Sequence, residues 1–65
     1  MNELMILFDG SQWIYFKTPA AAVDKAYQCF EETCSSAGIN IDNMLVTSAI
    51  LRDSHGSVID TLSFL

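Results

Sequence analysis

Between residues 18 and 38 the chain reads TPAAAVDKAYQCFEETCSSAG, and apolar residues recur three and four apart at Ala22, Val23, Ala26, Tyr27, Phe30, Cys34 and Ala37. That is the helical period, and it draws a single stripe that must face a core. Asp24, Lys25, Gln28, Glu31, Glu32 and Ser35 fall on the other side. Thr18 is a favoured N-cap, and Pro19 suits the first helical position, where its missing N–H costs nothing. Gly38 can take the positive φ that often follows a last turn. The pattern therefore predicts one amphipathic helix spanning Thr18 to Gly38.

On either side of this helix the period changes to two. Glu3 to Phe8 is an apolar run that ends in Asp9-Gly10-Ser11, and Gln12 to Lys17 follows with Trp13, Ile14, Tyr15 and Phe16, all strong strand formers. Asp-Gly is a common type I′ pair, so these two runs predict an antiparallel hairpin. After Gly38, Ile39 to Asn43 reads as a turn region, because its Asn and Asp side chains can bond their own backbone. Met44 to Arg52 leans to strand, Asp53 to Gly56 makes a turn, and Ser57 to Phe64 alternates again, which gives a second hairpin. Ile41, Met44, Leu45, Ser48 and Leu51 also fit helical spacing with Asn40 or Asp42 as a cap, so a helix over 41–52 is the competing reading.

The predicted architecture is α+β: a single domain over 1–65, ββαββ, with a four-stranded antiparallel sheet and one helix packed on one face. One helix covers only one face. Yet strand one sends Leu4, Ile6 and Phe8 one way and Met5 and Leu7 the other, while strand two splits Trp13 and Tyr15 from Ile14 and Phe16. Large apolar side chains are therefore expected on the uncovered face, and such a patch marks an association surface.

Charge narrows the class of partner. Eight Asp and Glu stand against three Lys and Arg, a formal charge of −5, and phosphate binding needs a basic patch, so direct nucleic-acid binding is not expected. The unneutralised field instead favours a larger protein with a basic surface. With 65 residues and 51% hydrophobic content the chain is globular, but a domain of this size has a thin stability margin. No apolar run reaches a membrane span, and MNELMILF lacks the basic start of a signal sequence, so a cytoplasmic, membrane-free protein is expected. Cys29 and Cys34 lie five residues apart on one helix, about 140° around its axis, which disfavours a disulfide and suits packing as thiols.

Candidate chemistry is sparse. His55 stands in a turn beside Asp53, but neither it nor the two cysteines shows metal-ligand spacing, and Glu31 and Glu32 beside the cysteines would raise a thiol pKa and oppose nucleophilic catalysis. Thr18-Pro19, not a glycine-rich loop, joins strand to helix, so nucleotide binding has no support. No catalysis, cofactor or metal is expected. The residues that remain are the carboxylates Asp24, Glu31, Glu32, Asp42, Asp53 and Asp60, together with Trp13 and Tyr15 as aromatic anchors; Phe16 and Tyr27 also have the size for that role. Asp24 and Glu31 sit about 10.5 Å apart along a helix, close to three phosphate steps of a nucleic-acid strand.

In size and charge the chain is similar to small phage-encoded inhibitors such as anti-CRISPR proteins, a likeness of general character that no residue motif carries. It implies a non-catalytic protein-binding module, an inhibitor that occupies a basic, nucleic-acid-binding site in the manner of a DNA mimic. The alternative is a homo-oligomeric structural or accessory subunit, at its simplest a homodimer, that associates through its exposed apolar sheet face.

Overall fold

Alternation along the apolar runs decides the sheet. In the computed structural model, which describes residues 1–65, β1 (Asn2–Phe8) and β2 (Gln12–Thr18) pair antiparallel from Asn2↔Thr18 to Phe8↔Gln12. The helix α1 (Val23–Ser36) follows, then a single 3₁₀ turn at Ile41–Asn43, then β3 (Val46–Arg52) and β4 (Val58–Ser63). The sheet order is β2-β1-β3-β4 and every pairing is antiparallel. The molecule is a small ββαββ domain of four antiparallel strands with one helix across one face.

Leu4 and Ile6 of β1, with Ala49 and Leu51 of β3, supply the sheet side of the core, and Val23, Ala26, Phe30 and Cys34 supply the helix side. Ile14, Phe16 and Leu62 pack around them half-buried. Phe30 meets Phe16 edge-on, with ring centroids 5.6 Å apart, and Tyr27 packs on Phe64 at 4.9 Å. Phe16 and Tyr27 are therefore occupied inside the fold and are not free interface anchors. Cys34 is buried, but Cys29 is exposed and takes no part in packing; both are free thiols.

The helix begins four residues later than Pro19. Thr18 is still strand, paired with Asn2 and almost fully buried. Its hydroxyl accepts from the Ala20 N–H at 3.1 Å, two residues on, while the Asn2 amide donates to the Ala20 carbonyl at 2.8 Å. The threonine thus spends its oxygen on a turn that carries the chain from sheet to helix. Ala22, in extended backbone and without a side-chain bond, is the actual N-cap. At the other end the pattern reads true: Gly38 takes φ 75°, its N–H donates to the Ser35 carbonyl, and the Ile39 N–H donates to the Cys34 carbonyl.

Over 41–52 the strand prevails. Only Ile41–Asn43 coils, with the Asn40 side chain accepting from the Asp42 N–H at 3.0 Å. Val46 pairs with β1, and from Ser48 to Arg52 the chain pairs on both sides, with β1 and with β4; a segment sharing hydrogen bonds with two neighbours has no use for helical ones. The first hairpin turns through three residues, with Asp9 at φ 50° and Gly10 at φ 86°. Asp9 is held there by Leu45, whose N–H donates to Asp9 Oδ1 at 3.0 Å and whose carbonyl accepts the Asp9 N–H at 2.9 Å.

Candidate protein-binding surfaces

Pairing fixes what the uncovered face presents. Residues opposite one another in an antiparallel ladder point the same way, so Tyr15, Met5, Ile50 and Thr61 form one row across all four strands, and Trp13, Leu7, Ser48 and Ser63 form the next. Trp13 is 39% exposed and Tyr15 56%, so both anchors lie open to solvent. Lys17, Glu3 and Arg52 make the third row. Arg52 donates through Nε to Glu3 Oε1 at 2.9 Å, Lys17 Nζ lies 3.3 Å from Glu3 Oε2, and the Arg52 guanidinium stands 6.0 Å from the centre of the Tyr15 ring. The Arg52 hydrogen bonds hold the Glu3 carboxyl below its usual range; partial burial opposes this and Lys17 reinforces it.

This charged row closes one end of the apolar face and opens into a cleft of about 370 Å³ that Asp53, Ser54 and His55 also line. Asp53 works locally there: its Oδ1 accepts from the His55 N–H at 2.9 Å and the Ser57 N–H at 3.0 Å, and so shapes the β3–β4 turn. Two carboxylates and two bases meet in this cleft, so its charge balances. The excess of the whole chain therefore rests on Asp9, Asp24, Glu31, Glu32, Asp42 and Asp60, against Lys25 alone.

Five of those carboxylates gather on the helix side, while Asp9 sits in the β1–β2 turn against Leu45. Glu32 lies opposite the buried stripe of α1, while Asp24 and Glu31, seven residues apart, come within about 20° of each other on one flank. Tyr27, between the stripe and that flank, packs on Phe64 just after β4, so the flank overlooks the β4 edge, where Asp60 is exposed. Burial first, then the charge of Glu31, pushes the Tyr27 phenol up from its ordinary pKa. Glu31 and Asp42 also share a cleft of about 450 Å³ with Ser35 and Asn40. Asp24, Glu31, Glu32, Asp42 and Asp60 thus fall on the helix side, Asp53 sits at the balanced cleft, and Trp13 and Tyr15 occupy the opposite face.

Sequence reasoning did not see the Lys17–Glu3–Arg52 row, because it depends on β1 and β3 being neighbours. The one signal was Glu3 itself, a carboxylate opening an otherwise apolar run and able to stay in a sheet only with a partner. No three His, Cys, Asp or Glu side chains converge as a metal would require, and no helix is long and apolar enough to cross a membrane.

The fold and its surfaces define a small α+β domain with two exposed patches facing opposite ways. No family model, curated protein or solved structure matches the chain.

Proposed function

We propose that this chain is a non-catalytic protein-binding module that presents its carboxylate surface to a basic site on a larger protein, inhibiting that protein where the site normally holds nucleic acid. The observation that supports this reading is the sorting of charge. Five carboxylates occupy the helix side and the β4 edge with Lys25 the one base among them, a sixth, Asp9, stands in the β1–β2 turn, and the charges of Glu3, Lys17, Arg52 and Asp53 cancel in one cleft. An acidic surface of that kind steers a basic partner and loses its hold as salt rises. It would act as an inhibitor of the DNA-mimic or anti-CRISPR type, in a reducing cytoplasm where Cys29 and Cys34 remain thiols. Because Trp13 and Tyr15 face the other way, they belong to a separate contact and not to the same footprint.

The test is capture on the immobilised chain from an extract of its native cell, at low and high salt, beside the variant D24N/E31Q/E32Q. Capture of a nucleic-acid-binding protein that salt and added duplex DNA release, and that the variant loses while keeping its helical circular dichroism, is the expected result. Equal capture by both chains, or none by either, overturns it.

A second reading rests on the exposure of Trp13 and Tyr15: a homo-oligomeric subunit that stacks its open sheet face on a copy of itself. There, W13A would abolish the oligomer and D24N/E31Q/E32Q would leave it intact.

A further inference from the structure

β2 and β4 are the two edges of the sheet, and they are guarded unequally. β4 has six residues, its pairing is interrupted between Leu51 and Arg52, and Asp60 stands in its middle beneath an acidic helix flank. Breaks in register and charges are the usual means of keeping an edge from pairing. β2 has seven residues in unbroken register with β1, no proline, and Lys17 as its one charge.

The backbone of β2 has an outward side. The Leu7 carbonyl accepts from the Thr47 hydroxyl at 3.5 Å and the Asp9 N–H donates to the Leu45 carbonyl, so the odd residues of β1 turn their polar groups toward β3 and the even ones toward β2. By the alternation of an antiparallel ladder, Gln12, Ile14, Phe16 and Thr18 bond to β1. Trp13, Tyr15 and Lys17 are left with N–H and C=O pointing away from the sheet, facing no strand.

We propose that β2 pairs with β2 of a second copy of this chain, antiparallel about a two-fold axis at Tyr15. In that register Trp13 meets the second copy's Lys17, Tyr15 meets its counterpart, and each of the three outward pairs exchanges two backbone hydrogen bonds. The side chains agree with the backbone. Lys17 lies beside an indole ring and not another ammonium, and Ile14 meets Phe16 on the helix side, where both are half-buried and extend their own cores. Sliding the register by two residues sets Trp13 against Pro19 or Lys17 against Ser11 of the turn, and loses a bonded pair. The carboxylate flanks lie at the β4 edges, the far ends of the resulting eight-stranded sheet, so their repulsion does not oppose the contact. This inference does not depend on the basic-partner reading, since it uses none of those carboxylates.

The experiment combines light scattering with amide hydrogen exchange by NMR, on the full chain, from micromolar to millimolar concentration. The mass should rise from 7.2 kDa to twice that. Exchange of the Trp13, Tyr15 and Lys17 amides should slow about tenfold or more as the dimer fills, while Thr61 and Ser63 on the β4 edge stay as they were. Tyr15→Pro removes the central outward N–H without touching a bond to β1, and Trp13→Lys sets lysine against the second copy's Lys17; each should restore the single mass with circular dichroism unchanged. Should Tyr15→Pro fail to fold, Trp13→Lys decides. A single mass throughout, a dimer that survives Trp13→Lys, or a dimer in which those three amides exchange as in the monomer would overturn the proposal; the last result would mark stacking of the open faces instead.

Discussion

Arg52 faces Glu3 across the β1–β3 pair and turns both Nε and Nη2 to the same carboxylate oxygen, forty-nine residues apart in sequence. The Glu3 side chain is 16% exposed, and the contact holds its carboxyl below the usual carboxylate range. A carboxylate whose folded pKa is depressed contributes stability above its unfolded pKa and loses it as pH falls through the folded one. The urea midpoint should therefore decline as pH drops from about 5 through the folded-state value. Glu3→Gln should flatten that part of the profile and lower the midpoint at neutral pH, because two bases then face a neutral amide. Urea titrations of both chains between acid and neutral pH check this.

Leu4 and Met5 are adjacent but differ in burial, since β1 turns Leu4 into the core beneath the helix and leaves Met5 half-buried on the uncovered face. Leu4→Ala should cost about 2–5 kcal/mol, because the side chain is fully enclosed and leaves a cavity. Against the thin margin of a 65-residue domain that is enough to unfold a large fraction of molecules. Met5→Ala should cost much less, and paired denaturation curves give the contrast.

Asp9 carries a positive φ and accepts a hydrogen bond from Leu45 at once. Asp9→Ala loses the bond and keeps the strain, so a loss of about 1–3 kcal/mol is expected. Asp9→Asn keeps an acceptor on a residue that tolerates this backbone and should stay within about 0.5–1 kcal/mol of the parent. Thermal melts of the three chains rank them.

The two thiols should be told apart by a colourimetric thiol reagent. Cys29, exposed, should react at once, and Cys34, buried under the helix, only at the rate at which the domain opens. Two fast equivalents would contradict the packing of Cys34.

How much of this was legible in the chain follows from distance along it. The stripe Val23, Ala26, Phe30 and Cys34, the split of Trp13 and Tyr15 from Ile14 and Phe16, and Gly38 at the helix end all rest on neighbours within a few residues, and all appear as the pattern predicts. Thr18 misled because a cap and a turn-forming strand end look the same until the partner is known: here Asn2 holds it in the sheet. The Lys17–Glu3–Arg52 row, and the parting of the acidic flank from the aromatic face, depend on strand order, which nothing local encodes.

Placing β1 between β2 and β3 also sets the order in which the molecule can assemble. One side of β1 is satisfied by a hairpin neighbour a few residues away; the other waits for a strand that ends at Arg52. On a ribosome, the first hairpin and the helix emerge with the middle of the sheet still unfinished, its inner edge bare until most of the chain has been made. Contacts this remote close slowly, so the interval before Val46–Arg52 arrives is when a nascent chain is most exposed to capture by a chaperone or by another unfinished copy.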